Sequence, residues 1–387
     1  MVCAAWGSLR LGALSPADFP FYTWTACAIE DFLSSAQGRP QIDFVGSSLM
    51  LCPLGGVDAD LLGRDIDAPR HHRSLFFERA FKQVTGQNVR SFNFALPGEM
   101  PSDAYLLTKF LLKGDKRPDV IVYGVGPRDF LDNLLPCAAA TDPYQYFSRF
   151  GDVSDHISLI APDWQTRLSY ELGRMFYTYA NKTDLSSSFS RSVTNILANL
   201  LPLSGSSISI LERRTVLPDY RPFEVADREC LFRPQTPKTR PPFADNIEEY
   251  RRRYKQLKWD TYLTQMTFLS DLLQTARDRQ TRVVVVSMPI TTINRTLLSD
   301  LAWDVYKRGI KVVATSKGAT FIDLEGSGKF ELADFGDTVH LHSGGGAKLL
   351  TVLAEQLAAN KAIMTALHKQ SQPETKAITV AGLKGTI

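Results

Sequence analysis

The sequence predicts an α/β protein built on a five-stranded parallel sheet with right-handed crossovers, and two observations carry that expectation. Short apolar runs rich in β-favouring residues recur at "IDFVG" (42–46), "NVRSFNFAL" (88–96), "DVIVYGV" (119–125), "RVVVVSM" (282–288) and "ATFIDL" (319–324). Helical patterns lie between most of them.

In the first strand Ile42, Phe44 and Val45 suit a strand covered on both faces, and Gly46 permits a tight exit into Ser47 and Ser48. Such an exit lies at the carboxyl end of a strand, the edge where open α/β sheets bind ligands. Either hydroxyl is therefore a candidate nucleophile, although Gly-Ser-Ser also makes ordinary turns and helix caps. The second strand follows the helical "RSLFFERAFKQVTG", with Gly86 as its stop. Before the third strand, "SDAYLLTKFLLKG" reads as a helix that Ser102 can cap and that carries Tyr105, Leu106 and Leu111 inward. The fourth follows a long helical stretch ending "LSDLLQTARDRQ", and the fifth follows "LAWDVYKRGIKVVATSKG".

Between the third and fourth strands the alternation breaks. Aromatic-rich helical pieces such as "WQTRLSYELGRMFYTYA" and "SVTNILANLL", a Ser-rich joint "DLSSSFS" and the basic, proline-rich "FRPQTPKTRPPF" fill this part of the chain. The organisation expected is an N-terminal segment (1–41), a first half of the core (42–133), a helical and proline-rich insertion (134–245), a second half of the core (246–361) and a flexible tail (362–387).

Composition narrows the function. Of 387 residues 44% are hydrophobic and 22% charged, an ordinary globular balance. The formal net charge of +3 argues against a nucleic-acid binder overall. The basic stretch "NIEEYRRRYKQLKW", with Arg251, Arg252, Arg253, Lys255 and Lys258 behind Glu248 and Glu249, reads as a solvated helix before it reads as a contact for nucleic acid or an anionic membrane. No apolar run is long enough to span a bilayer and no export signal is visible, so the expected location is cytoplasmic. The five cysteines are scattered without C-x-x-C spacing, which suggests reduced thiols and neither a disulfide framework nor a metal site.

A nucleophilic serine needs a base, commonly a histidine oriented by a carboxylate. Of six histidines, His71 and His72 sit in the polar "DAPRHHRS", read as a solvated loop or helix start, and His156 and His368 belong to no motif. In "DFGDTVHLHSGGGAKLL" Asp337 and His340 are three apart, ahead of a glycine-rich turn and a helix from about Ala347. That spacing supplies base and orienter together, and equally suits an aspartate capping a turn.

Taken together these segments resemble the SGNH (GDSL-type) hydrolases, whose members hydrolyse or transfer acyl esters and whose fold is a flavodoxin-like three-layer α/β/α sandwich. "VGSSLM" stands at the first family block, with Ser48 matching the nucleophile and Ser47 in place of an aspartate. "DTVHLHSGGG" stands at the last, with Asp337 and His340 matching acid and base, and "FNFALPGEM" places Gly98 at the glycine whose N–H faces the oxyanion. The third block departs: "YGVGPRDFLDN" offers Gly124 and Asp129 but no asparagine between them, and Arg128 is the nearest donor for the oxyanion or for an anionic substrate. A missing donor costs roughly 2.7–4 kcal/mol of transition-state stabilisation. An ordinary ion pair of Arg128 with Asp129 or Asp132 is the other reading. The "GSS" entry and the Met-Pro end of "VVVVSMPI" look closer to a divergent branch resembling polysaccharide O-acetylation and cell-wall alanylation factors, which would put the protein at the cell envelope.

The resemblance implies a serine esterase or O-acyltransferase acting on a small or carbohydrate-type acyl ester. Ser48, His340 and Asp337 would do the chemistry, the amides of Ser48 and Gly98 would hold the oxyanion, and no cofactor would be required. His342 is expected to pack or bond beside His340. The alternative is an inactive SGNH-like module that binds a glycan or a protein.

Overall fold

The structure is a computed structural model that describes residues 23–35, 39–135, 137–148, 151–176, 179, 230–235 and 238–368. Five parallel strands form the central sheet: β1 (Ile42–Gly46), β3 (Ser91–Asn93), β4 (Val120–Val125), β6 (Arg282–Ser287) and β7 (Thr320–Asp323), in the order β3-β1-β4-β6-β7. The order places the earliest strand between the second and third of the sheet, the flavodoxin-like arrangement of a doubly wound fold. Every residue of β1 and β4 is buried, as is each from Val283 to Ser287 in β6. This explains the near-continuous apolar runs: both faces are covered by helices. The second strand is only three residues long where the sequence suggested nine, although Phe94 and Leu96 still donate their N–H groups to Phe44 and Gly46 as the chain runs toward Gly98.

One face carries α2 (Ser48–Leu62), α3 (Leu75–Thr85) and α13 (Ser343–Ala359); the other carries α4 (Pro101–Phe110), α10 (Trp259–Asp278) and α12 (Asp300–Ser316). The remaining helices are α1 (Trp24–Ser34), α5 (Arg128–Leu131), α6 (Asp142–Phe147), α7 (Ile157–Ile160), α8 (Trp164–Met175), α9 (Ile247–Tyr254), α11 (Thr292–Arg295) and α14 (Lys361–His368). Helices α6 to α8 fall in the range expected as an insertion. Residues 1–22, "DLSSSFS", "SVTNILANLL" and 369–387 lie outside the described residues. Among those described, no helix is long and apolar enough to cross a membrane.

Three local expectations change. Ser102 does not cap α4: the helix begins one residue earlier at Pro101, a favoured first position, and Asp103 turns back to accept from the Met100 N–H at 3.0 Å. Ser102 instead exchanges hydrogen bonds with Gln265 of α10. The glycine-rich stretch after His342 is not a turn but the first turn of α13. The chain from 361 to 368, mostly expected as loose tail, is helix α14, held by Asn360, which accepts from the Ala362 and Ile363 N–H groups, and by burial of Ile363 and Leu367 one turn apart. Of the two readings of His71 and His72, solvated loop or helix start, the second fits: they lie just before α3 and are half-buried. His71 donates to Asp58, which also caps α3 through Leu75 and Phe76, and His72 stacks on Phe92.

Helices α2 and α13 touch almost backbone to backbone. A Cβ at Gly346 would stand 2.9 Å from Pro53 Cα and 2.8 Å from Val57 Cγ2. Replacing Gly346 with valine is expected to wedge the helices apart, lowering stability by about 1–3 kcal/mol in urea unfolding and pulling the two ends of the site away from each other.

Burial pushes the Asp103 carboxyl from its ordinary 3.8 up to about 7, opposed by hydrogen bonds from Thr141 and Met100, and burial likewise pushes Asp129 up to about 6. A carboxyl whose folded value is raised contributes its stability fully below the unfolded value and loses it as pH rises through the folded one. The protein should therefore become less stable between about pH 4 and pH 7 in isothermal urea titrations, each pK unit being worth about 1.4 kcal/mol. Asp103→Asn should flatten that slope.

Candidate active site

The site forms where β1 and β4 end. Gly46 and Gly124 are register partners, and a Cβ on Gly46 would fall 2.4 Å from the Gly124 carbonyl oxygen. With φ at +141°, Gly46 also holds a backbone conformation that side chains resist. The glycine thus lets the chain turn sharply from strand into helix and leaves Ser48 as the first residue of α2. The Ser48 N–H has no acceptor within its own helix.

The two serines have different partners. Ser47 is buried, and its hydroxyl donates to Asp129 Oδ2 at 3.3 Å, while the same oxygen accepts from the Gly126 N–H at 2.8 Å. Asp129 thereby ties the exit of β4 to the exit of β1. Ser48 is half-buried, and its Oγ lies 2.8 Å from His340 Nε2. On the far side of the ring, His340 Nδ1 is 2.7 Å from Asp337 Oδ2. Assigning the proton to Nδ1 lets it donate to the carboxylate and leaves Nε2 to accept from the Ser48 hydroxyl.

Asp337 also accepts from the backbone N–H groups of Val339 and His340 through Oδ1, at 2.8 and 2.7 Å. Burial raises its pKa, but the bonds and the charge of His340 outweigh it and hold the carboxyl below its ordinary value. It stays ionised beside the imidazole. Cys52, one helical turn after Ser48, is pushed up to about 12 by burial and then by the charge of Asp337, so it stays a neutral thiol.

Several residues that shape the site left no recognised signal in the sequence. Glu99, nearly fully buried, accepts from the Gly46 and Leu96 N–H groups at 3.3 and 3.2 Å and so fastens the Gly98 turn to the end of β1. Burial holds its pKa well above the ordinary value. The loop bearing Asp337 and His340 is pinned at Thr338, which is fully buried. Its N–H and hydroxyl both donate to Asn246, its carbonyl accepts from the Thr291 hydroxyl at 2.7 Å, and its hydroxyl accepts from Asn294 at 3.2 Å. An aspartate-threonine-valine-histidine run does not reveal such an anchor, because its partners lie about 45 and 90 residues upstream.

The proline-rich stretch lies across this end of the molecule. Leu231–Phe232 (β5) pairs antiparallel with Ile66–Asp67 (β2), and the Phe232 ring fills the space where Gly55 lacks a side chain. Gln235 accepts from the Ser343 N–H, and the Ala244 N–H donates to Gly336 at 2.8 Å. His342 does not bond to His340; it caps α13 by accepting from the Gly345 N–H and donates to the Ala333 carbonyl.

The basic helix α9 has two faces. Arg251 and Arg252 are exposed, while Tyr250 and Tyr254 are buried and Arg253 reaches Asp132. Burial first, then the charge of Asp337, raises the Tyr250 pKa, and Arg128 opposes it, so its hydroxyl lies within electrostatic reach of both. Arg128 itself lies over Gly98, where a Cβ would stand 3.1 Å from Nη2 and 3.3 Å from Nη1. Gly98 has φ of +77°, so both backbone and space favour glycine there.

Among solved structures, the chain is similar to an acetylxylan esterase, Axe2, from Geobacillus stearothermophilus, at 11% identity over 84% of this chain and 97% of that one with a TM-score of 0.33. It is also similar to a catalytic mutant of that enzyme, at 10% identity over 85% and 98% with a TM-score of 0.35. At such TM-scores neither likeness bears on what this chain does. No curated protein matches it. A family model does match, over residues 71–355, a span that takes in Gly98, Arg128, Asp337 and His340 and begins after Ser48. The chain belongs to that family, described as a protein family of unknown function (DUF1574).

Proposed function

We propose that the protein is a serine-dependent ester hydrolase or O-acyltransferase of the SGNH type, acting on a small or carbohydrate-type acyl ester. The observation that carries this reading is the unbroken line of hydrogen bonds from Ser48 Oγ through the His340 ring to Asp337. A partly exposed hydroxyl, a base and a half-buried orienting carboxylate at hydrogen-bond distance are the parts of nucleophilic acyl transfer.

Ser48 Oγ attacks the acyl carbon while its proton passes to His340 Nε2 and the carbonyl π pair moves to oxygen. The N–H groups of Ser48 and Gly98 are assigned to that oxyanion. Asp337 holds the ring and stabilises the imidazolium without taking its proton. As the oxyanion collapses, the alkoxide leaves with the proton from His340 and the acyl group stays on Ser48. Water, or a sugar hydroxyl in a transferase, then gives its proton to His340 and attacks the acyl-enzyme, and Ser48 departs reprotonated.

A fluorophosphonate probe should label Ser48 by peptide mapping and should fail to label His340→Ala. Turnover of simple acetyl esters should fall at least about 10³-fold in Ser48→Ala and in His340→Ala. Labelling at another serine, or turnover that survives Ser48→Ala, would refute the assignment.

The pinning of Thr338 makes a separate expectation. Thr338→Val removes the hydroxyl that joins Asn246 to Asn294 and leaves buried polar groups unpaired, a loss of about 1–3 kcal/mol. In thermal melts it should lower stability, and in steady-state kinetics it should lower kcat about tenfold with KM little changed, since the base moves and the binding surface does not.

A further inference from the structure

We propose that Arg128 is a catalytic residue that donates to the developing oxyanion, and that Asp132 and Arg253 position it; this inference rests on the acyl-transfer reading above. The arginine stands where the SGNH pattern would place a neutral amide side chain. Its own surroundings show what it can do.

The Arg128 side chain is only 17% exposed, so it is not a loop arginine reaching into solvent. Its Nε donates to Asp132 Oδ2 at 3.1 Å, which fixes one edge of the guanidinium and leaves the Nη pair above Gly98. Nη1 is buried without a hydrogen-bond partner among the described residues. The Asp129 oxygen 3.8 Å away is too distant to accept from it. A buried cationic N–H without an acceptor is costly unless an acceptor arrives during the reaction. An oxyanion held by the amide of Gly98 would bring one.

Charge balance favours an oxyanion over a permanently anionic substrate. Arg128 and Arg253 already face the carboxylates of Asp132, Asp129 and Glu249, so the cluster holds no excess positive charge to bind a second anion. What it does offer is a rigid donor. Asp132 is nearly fully buried and accepts from Arg128, Arg253 and the Leu134 N–H, so its carboxylate cannot swing. A fork held in this way donates without reorganising, and a lysine cannot reproduce it. Throughout the step Arg128 keeps its proton. It donates to the oxygen as the Ser48 Oγ–carbon bond forms and releases it when the leaving alkoxide departs.

The test compares Arg128→Gln, Arg128→Lys, Arg128→Ala and Asp132→Asn with wild type, using a neutral acetyl ester and the hemisuccinate ester of the same alcohol. Arg128→Gln and Arg128→Lys should lower kcat about 10²–10³-fold on both esters, with KM within about threefold. Methylguanidinium should restore part of the rate of Arg128→Ala, a response that a purely structural arginine would not give. Asp132→Asn should lower kcat by a smaller factor with KM unchanged. A KM increase confined to the hemisuccinate, with kcat intact, would overturn the proposal in favour of an anion-binding arginine. So would a rate loss in Arg128→Ala that methylguanidinium leaves untouched. Ser48-dependent turnover with normal kinetics in Arg128→Gln would overturn the Arg128 role alone, whereas wild type without Ser48-dependent turnover would overturn the acyl-transfer reading and this inference together.

Discussion

The contact between helices α2 and α13 is the constraint on which the site depends. Ser48 begins one of these helices and His340 sits just before the other, 292 positions later in the chain. Their side chains meet at 2.8 Å only because Gly346 lets α13 close on Pro53 and Val57 of α2 with no side chain between. Gly56 faces Ser343 across the same seam. Two helices separated by one extra methyl layer would move His340 beyond hydrogen-bond reach of Ser48, since such bonds span only about 2.7–3.2 Å.

A second layer of control comes from carboxyl groups that tie backbone to backbone at the carboxyl edge of the sheet. Glu99 joins the end of β1 to the Gly98 turn, Asp129 joins Ser47 to Gly126, and Asp103 closes the first turn of α4. Each accepts from backbone N–H groups at a strand exit or a helix start, as buried backbone requires. The cost is electrostatic, because burial raises all three. Asp337 differs: it is held below its ordinary value because it faces an imidazole and two amides, which the other three carboxyl groups do not.

Helix α9 and the stretch leading to it supply a third side. Asn246 pins Thr338, and two turns later Arg253 reaches the Asp132 carboxylate. The helix that looked solvated from its charge run is solvated only on the face of Arg251 and Arg252. Charge composition reports how many cations a segment has; it does not report which of them turn inward onto a buried carboxylate.

Read alone, the sequence determined the sheet, and its local patterns picked out Ser47, Ser48, Asp337 and His340 as candidates. The runs of Val283 to Val286 and Val120 to Val125 identify buried strands because only parallel strands covered on both faces are apolar at every position. Gly46 before two serines and Asp337 three residues before His340 are local patterns, legible because the backbone conformation and the spacing they need lie within a few residues. Only the tertiary structure distinguishes Ser47 from Ser48, for it places one hydroxyl against Asp129 and the other against His340. It also decided that Ser102 contacts Gln265 instead of capping, that 361–368 is helical, that His342 caps α13, and that Arg128 lies over Gly98. Each of these turns on a partner distant in sequence or on a side chain's direction in the folded chain, and neither is encoded in the periodicity of a single segment.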